Sequence, residues 1–205
     1  MCLNENCKGK LLGKLTHFVG KSAANIDGLS ESTLEKLMEL GWIKNFKDIY
    51  SLHQHIIEMN VLPGFGVKSV KKLMESIEKS RIITLDRFIN ALSIPLIGRT
   101  ASKDIAQACA WDFHNFTMIM DLEAENAFIG IDGFGKETNR SLRGWWCDNK
   151  DMAMELVKVF TFEKPKKSTG SEADLSGKVF VITGSLEHFE NRDAAKERIE
   201  SLGGK

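Results

Sequence analysis

The sequence predicts a mainly α fold: four tandem units of two short helices joined by a tight turn, then a flexible linker, then an incomplete α/β piece. Three observations carry this. Between residues 11 and 162, apolar residues recur at helical spacing in short stretches broken by glycines, with little strand-like alternation. The glycines recur in one register. The stretch EKPKKSTGSEAD, residues 163–174, is polar apart from Ala173, which is linker composition.

Composition bounds the function. The chain has 205 residues, 42% of them hydrophobic, enough for one or two cored domains. Its 28 basic and 28 acidic residues cancel, so no global field draws it to an anionic polymer, and any nucleic-acid contact must be local. The longest apolar runs, such as Val179 to Ile182, fall far short of the ~20 residues of a membrane helix. The first seven residues, MCLNENC, do not lead a basic region into an apolar core, so a cytoplasmic location is expected. In a reducing compartment four cysteines are thiols or metal ligands. Cys109 and Cys147 lie in apolar helical stretches and are expected in the core.

The repeat becomes visible when Ser30, Gly66, Gly98 and Gly135 are aligned. Two positions earlier stand Gly28, Gly64, Leu96 and Gly133, and between them Leu29, Phe65, Ile97 and Phe134. Four before the anchor are Ile26, Leu62, Ile94 and Ile131; three after it Thr33, Ser69, Ala101 and Thr138; seven after it Leu37, Leu73, Ile105 and Leu142. Each column has a physical expectation. The residue at minus four ends one helix and packs on the next, and the glycines permit a left-handed, closely approached backbone. The small residue at plus three lets the two helices approach, and the plus-seven aliphatic returns to the same face. This is helix-hairpin-helix geometry.

Such a turn aims the unpaired first N–H groups of the second helix outward, where the helix dipole also favours an anion. A phosphate fits there. Charge stands nearby in Lys68 with Lys71 and Lys72, Arg99 with Lys103, and Lys136 with Arg140 and Arg143. The first unit has Glu31 and Ser32 instead, with Ser30 replacing glycine, and is expected to bind phosphate least or to serve as scaffold. A nucleotide-cofactor loop does not fit. A dinucleotide GxGxxG follows a strand, and a P-loop ends in Gly-Lys-Ser/Thr.

After the linker, Leu175 to Gly184 reads as a buried strand ending in a turn. Arg192 to Leu202 reads as a helix stopped by Gly203. One strand and one helix cannot bury a core, so truncation at the C-terminus is expected.

The chain resembles the C-terminal part of bacterial NAD-dependent DNA ligases, along nearly its whole length. The segment KLTHFVGKSAANIDGLSESTLEKL resembles the family's junction of zinc finger and helix-hairpin-helix domain. VLPGFGVKSVKKLMESIEKSR, FINALSIPLIGRTASKDIA and FIGIDGFGKETNRSLRGWW resemble its later hairpins in order, and LSGKVFVITGSLEHFENRDAAKERIESLGGK the start of its BRCT domain. The resemblance implies four parts: residues 1–20 as half of a four-cysteine zinc finger, 21–162 as the DNA-binding hairpin domain, 163–174 as linker, and 175–205 as the beginning of BRCT.

The residues it implies in DNA binding are Gly28, Ser30, Gly64, Gly66, Lys68, Gly98, Arg99, Thr100, Gly133, Gly135 and Lys136. Cys2 and Cys7 match the third and fourth zinc ligands. Read without the resemblance, they lack paired CxxC spacing and are free thiols; with it, they are half a tetrahedral zinc site, and the isolated chain is expected not to hold zinc tightly. Ser30 and Lys21 stand where glycine and arginine are commoner. The family adenylates a lysine from NAD, with Mg, passes AMP to a 5′-phosphate and seals the nick. That lysine sits in a KxDG motif, which this sequence lacks, so the chain alone is expected to be inactive. The implied partner is nicked double-stranded DNA, clamped by paired hairpins of a monomer that is cytoplasmic and nucleoid-associated.

Two other readings stay open. A standalone tandem-hairpin repair or junction-binding protein would share the repeats without the BRCT piece. A helix-hairpin-helix DNA glycosylase would use an aspartate about twenty residues past the hairpin, where Asp86 stands; in TLDRFINAL, however, Asp86 also reads as a first-turn helix acid. Trp145-Trp146 reads as packing, and His53 with His55 as surface residues. Thr183-Gly184 reads as structural or as an auxiliary DNA contact.

Overall fold

The computed structural model describes residues 8–122, 127–131, 133–165, 175, 178–184, 189, 192–201 and 204. The chain divides into two compact units, Met1–Lys164 and Pro165–Lys205. Among the described residues the first unit runs α1 (Lys8–Val19), α2 (Glu31–Glu39), a 3-10 helix (Phe46–His55), α3 (Ile56–Val61), α4 (Val67–Ser80), β1 (Ile82–Thr84), α5 (Leu85–Ala91), α6 (Arg99–Ala108), α7 (Phe113–Leu122), α8 (Lys136–Val157) and β2 (Thr161–Glu163). The mainly α expectation holds.

Local chemistry sets the helix ends. Asn45 Oδ1 accepts from the Asp48 amide at 3.2 Å while Asp48 Oδ2 accepts from the Asn45 amide at 3.1 Å, a reciprocal box that starts the 3-10 helix. Asp112 Oδ1 accepts from the amides of His114 and Asn115 at 2.7 and 3.1 Å and starts α7. Past the end of α2, Gly41 adopts φ 74°. The amides of Gly41 and Trp42 then reach back to Met38 O and Leu37 O, both at 3.0 Å, closing the helix with a Schellman motif.

The core of this unit is tied by aromatic rings. Phe18 stacks on Phe46 at 4.8 Å, Phe88 meets Phe160 edge-on at 5.5 Å, and Phe113 stacks on Phe162 at 5.5 Å. Phe160 and Phe162 flank and form β2, which pairs in parallel with β1: Ile82 opposite Thr161, Ile83 opposite Phe162, Thr84 opposite Glu163. The returning chain is thereby strapped beside α5. These strands correct the expectation of a purely helical stretch to residue 162, and Glu163 ends β2 instead of opening the linker. Three-residue strands are too short to show alternation.

A second strap is polar. Arg87 donates from Nε to Ala23 O at 2.9 Å and from Nη2 to Lys21 O at 2.7 Å, and Asn90 Nδ2 donates to Ser22 O at 3.0 Å. Asn90 is buried, and its own carbonyl accepts from His17 Nε2 at 2.8 Å. The irregular turn before α2 thus finds its hydrogen bonds in α5 side chains, as a backbone outside a helix must.

In the second unit, α9 spans Arg192–Ser201, as expected. Leu202 and Gly203, part of that helix reading, lie outside the described residues. The buried strand expected over residues 175–184 is not formed: residues 178–183 are neither helix nor strand, and Val179 and Val181 are 78% and 83% exposed. An apolar run becomes a strand only by pairing, and no described strand of this unit lies beside it. The turn at its end is present, with Gly184 at φ 81° and its carbonyl accepting from Arg192 Nη2 at 3.2 Å.

Cys109 is buried as expected, and burial, helped by the Asp112 charge, pushes its thiol up to about 12. Cys147 is exposed, which corrects the core expectation. On α8 the inward residues are Leu142, Trp145, Trp146, Ala153 and Leu156, and Cys147 falls past the edge of that stripe.

Two outcomes follow. Asn90→Ala leaves the Ser22 carbonyl without its partner and should lower stability by about 1–3 kcal/mol. Urea denaturation measures this as a lower midpoint with unchanged slope. Iodoacetamide at pH 8 should label Cys147 and spare Cys109 in the folded chain, since only a thiolate alkylates; peptide mapping by mass spectrometry reads both sites.

Candidate nucleic-acid interface

The four aligned anchors occupy one structural position. Ser30, Gly66, Gly98 and Gly135 are the N-caps of α2, α4, α6 and α8, each with extended backbone. In every unit the anchor carbonyl accepts the first helical bond: Leu34, Val70, Ser102 and Asn139 donate to it at 2.9, 2.9, 2.9 and 3.1 Å. Two residues earlier the backbone is left-handed in all four, with φ 94° at Gly28, 90° at Gly64, 66° at Leu96 and 81° at Gly133. Phe65, Ile97 and Phe134 close their turns by donating to Leu62 O, Ile94 O and Ile131 O at 3.0, 3.1 and 3.0 Å. Pro63 and Pro95 precede Gly64 and Leu96. Proline in second place and positive φ in third define a type II turn.

Side chains behind the turns fill the core. Leu29, Ile97 and Phe134 are buried, and so are Leu37, Leu73, Ile105 and Leu142 at plus seven. Phe65 is half-buried against the core, with Lys36 Nζ 5.9 Å above its ring. Two column expectations need correction. Ser69 at plus three is exposed; its hydroxyl accepts from the Gly66 amide at 2.9 Å and donates to Gly66 O at 2.8 Å, so it braces the helix start. The column that packs is plus four, where Leu34, Val70, Ser102 and Asn139 are all buried. Its mixture of apolar and polar types hides it from a hydropathy reading. The residue at minus four follows a helix only in the second and third units, after α3 and α5. In the other two, residues 21–24 and 127–130 are turns.

The units differ in what the helix start leaves open. α4, α6 and α8 begin on glycine, with no side chain capping them. In the first unit Ser30 Oγ accepts from the Thr33 amide at 3.2 Å and bonds the hydroxyls of Ser32 and Thr33 at 3.0 and 2.9 Å. The protein's own oxygen takes the place an anion would, and Glu31 follows it. Lys68, Arg99, Thr100 and Lys136 are exposed on the first turns of the three uncapped helices, with Lys71, Lys72 and Arg140 exposed one turn on. Together these make three anion-ready turns and one closed one.

The units meet in pairs. Lys36 on α2 donates to Pro63 O at 2.5 Å, the Asp27 amide donates to Ser76 Oγ on α4 at 2.8 Å, and the space a Cβ would take at Gly28 lies 3.5 Å from Leu73. Ser141 on α8 donates to Pro95 O at 2.6 Å. The first unit therefore docks on the second and the fourth on the third. Pro63, Pro95, Lys36 and Ser141 were invisible as site residues in the sequence; the cross-unit spacing of plus six to minus three is the signal they share.

Of the other candidates, the two tryptophans are packing. Trp145 and Trp146 are buried; Trp146 Nε1 donates to Asp121 Oδ1 at 3.1 Å, and Lys150 Nζ joins it at 2.8 Å. The Lys150 and Trp146 bonds hold the Asp121 carboxyl below its ordinary range. Asp86 stands in the first turn of α5, where it accepts from Thr84 Oγ1. His53 is exposed, and His55 stacks on Trp42 at 4.4 Å. Thr183 and Gly184 are exposed. Cys2 and Cys7 lie outside the described residues; among the described ones no group of three or more His, Cys, Asp or Glu could hold a metal, and no helix is long and apolar enough to cross a membrane.

No protein-family model matches the chain. It is 38% identical over 212 aligned residues to a DNA ligase of Lachnoclostridium phytofermentans, 36% over 210 to one of Ruminiclostridium cellulolyticum, and 34% over 204 to one of Campylobacter lari. Each alignment takes in all of this chain and 31%, 31% and 30% of the relative, respectively. The chain thus spans about 30% of the length of the curated relatives it matches.

Of the four residues at minus two, Leu96 alone is not glycine, and it is 66% exposed. A left-handed non-glycine residue costs about 1–2 kcal/mol, against about 0.5–1 kcal/mol of extra entropy lost by glycine. Leu96→Gly should therefore stabilise the chain by about 0.5–1 kcal/mol, read from the urea midpoint.

Proposed function

We propose that this chain, a relative of DNA ligases along its whole length, is the portion of such an enzyme that grips nicked duplex DNA. The observation that carries the reading is the set of four helix starts in one register, three of them capped by glycine and flanked by Lys68, Arg99 and Lys136. Backbone N–H groups and cations hold phosphates without reading bases. The grip is therefore nonspecific in sequence, and salt weakens it by counterion release. Paired hairpins would place two turns on each side of the minor groove, one pair per face. Gly28 and Ser30 serve as scaffold, while Gly64, Gly66, Gly98, Thr100, Gly133 and Gly135 bring backbone close to the strand.

The chemistry belongs to the longer protein: a lysine adenylated from NAD with Mg, in a KxDG motif that is not in this sequence. Cys2 and Cys7 supply two thiolates to a zinc whose other ligands lie elsewhere in that protein. Residues 1–20, 21–162, 163–174 and 175–205 are its zinc-finger half, hairpin domain, linker and BRCT beginning, working as a monomer in the bacterial cytoplasm. The first-turn setting of Asp86, hydrogen-bonded to Thr84, favours a grip over a glycosylase.

Binding of the chain to a labelled nicked duplex, measured against salt, tests the grip. Lys68→Ala, Arg99→Ala and Lys136→Ala should each weaken binding about 3- to 30-fold at low salt and flatten the log–log salt slope by about 1. Ser30→Ala should leave binding unchanged while lowering stability by about 1 kcal/mol. Equal affinities across the wild type and the three cation variants, without a salt slope, would sink the reading.

A further inference from the structure

We infer that Lys36 and Ser141 are positioning residues: each locks the turn of the neighbouring hairpin in its type II form, so the grip of one hairpin is set by its partner's helix. The inference rests on the DNA-gripping reading above. It begins from the geometry of a turn. In a type II turn the peptide between the second and third residues is flipped relative to type I, and the flip is what forces positive φ on the third residue. The carbonyl of that central peptide belongs to Pro63 in the second unit and to Pro95 in the third. The bond that closes each turn uses a different carbonyl, that of Leu62 or Ile94.

Both central carbonyls find a donor on the partner unit. Lys36 Nζ lies 2.5 Å from Pro63 O and Ser141 Oγ 2.6 Å from Pro95 O. Counted from their anchors Ser30 and Gly135, both donors stand at plus six, and both acceptors stand at minus three. One donor is an ammonium and the other a hydroxyl, so the shared property is the hydrogen bond at that place and not a charge. Lys36 is half-buried, with its Nζ over the Phe65 ring, and is thus directed at its neighbour's turn. In the third unit the lock has more to hold, because Leu96 lacks glycine's freedom and still sits at φ 66°. A flip of either central peptide would swing the following N–H by about half a turn and re-aim the backbone presented by Gly66 or Gly98.

Double-mutant cycles on nicked-duplex binding by the full chain test this. Ser141→Ala should weaken binding severalfold with an unchanged salt slope, since no charge is removed. Its effect should be non-additive with Arg99→Ala, on the turn it holds, and additive with Lys136→Ala, on its own helix; Ser141→Thr, which keeps the hydroxyl, should restore affinity. Lys36→Gln, which keeps a donor, should retain more affinity than Lys36→Met. The inference is overturned if Ser141→Ala couples to Lys136→Ala instead, or if both Lys36 variants lose affinity equally and each flattens the slope by about 1, as a phosphate contact would. Hydrogen exchange without DNA separates the two failures. Faster exchange over residues 94–98 in Ser141→Ala, in a chain that binds no DNA, keeps the lock and removes the grip. Unchanged exchange there removes the lock.

Discussion

The fold turns on a left-handed residue placed two positions before the N-cap of each second helix. Gly28, Gly64, Leu96 and Gly133 each redirect the chain so that the next helix begins with its first amides facing out, directly after α3 and α5 in the second and third units and after a turn in the other two. The same step points the plus-four and plus-seven residues inward. Leu34 with Leu37, Val70 with Leu73, Ser102 with Ile105, and Asn139 with Leu142 are buried as consecutive contacts of one helix face. An outward anion site and an inward core contact are therefore two consequences of one backbone event. A chain that repeats the turn four times repeats both, whatever happens to individual side chains.

Much of this was legible in the residue pattern because glycine reports backbone directly. Where positive φ is needed, an L side chain is disfavoured, and three of the four positions carry glycine. Leu96 shows that the register, not the residue, identifies the turn: Ile94 and Ile97 hold their columns while the glycine is missing. What stayed hidden depends on contacts between distant positions. The plus-four column mixes leucine, valine, serine and asparagine, so burial there follows from geometry alone. The donors Lys36 and Ser141 look like surface residues until the partner turn is seen beside them. Residues 178–183 failed in the opposite direction, since a sound strand pattern was read from an apolar run whose pairing it cannot specify.

Closure of the first unit rests on two straps of different chemistry. Phe160 and Phe162 bring the chain's return against Phe18, Phe88 and Phe113, a contact that is apolar and tolerant of small shifts. Arg87 and Asn90 satisfy three consecutive carbonyls of the turn at residues 21–23, a contact that is directional and intolerant of them. Both converge on α5, the helix that leads into the third turn. Its seven residues are too few to be stable alone, so the placing of that turn is owed to neighbours and not to the helix itself.

Electrostatics makes the neutral composition compatible with an anionic partner. Net charge sets the field far away, but at physiological salt screening removes it beyond about 8 Å, so a phosphate in contact with a turn responds only to what lies within that radius. There it meets a helix N-terminus worth about half a positive charge and a first-turn cation on each uncapped helix. Several of the acids lie elsewhere and are already engaged. Glu155 is drawn below the ordinary carboxylate range by Lys158 and Lys47 at an outer edge of α8, and Asp121 by Lys150 and Trp146 on α7. The first turns of α4 and α6 hold no acid, whereas Glu137 stands beside Lys136 at the start of α8, so within a chain of no net charge the locally positive contacts are clearest at the second and third turns. The absence of net charge also limits long-range attraction, so such a surface holds duplex DNA by fit at the turns more than by steering it from a distance.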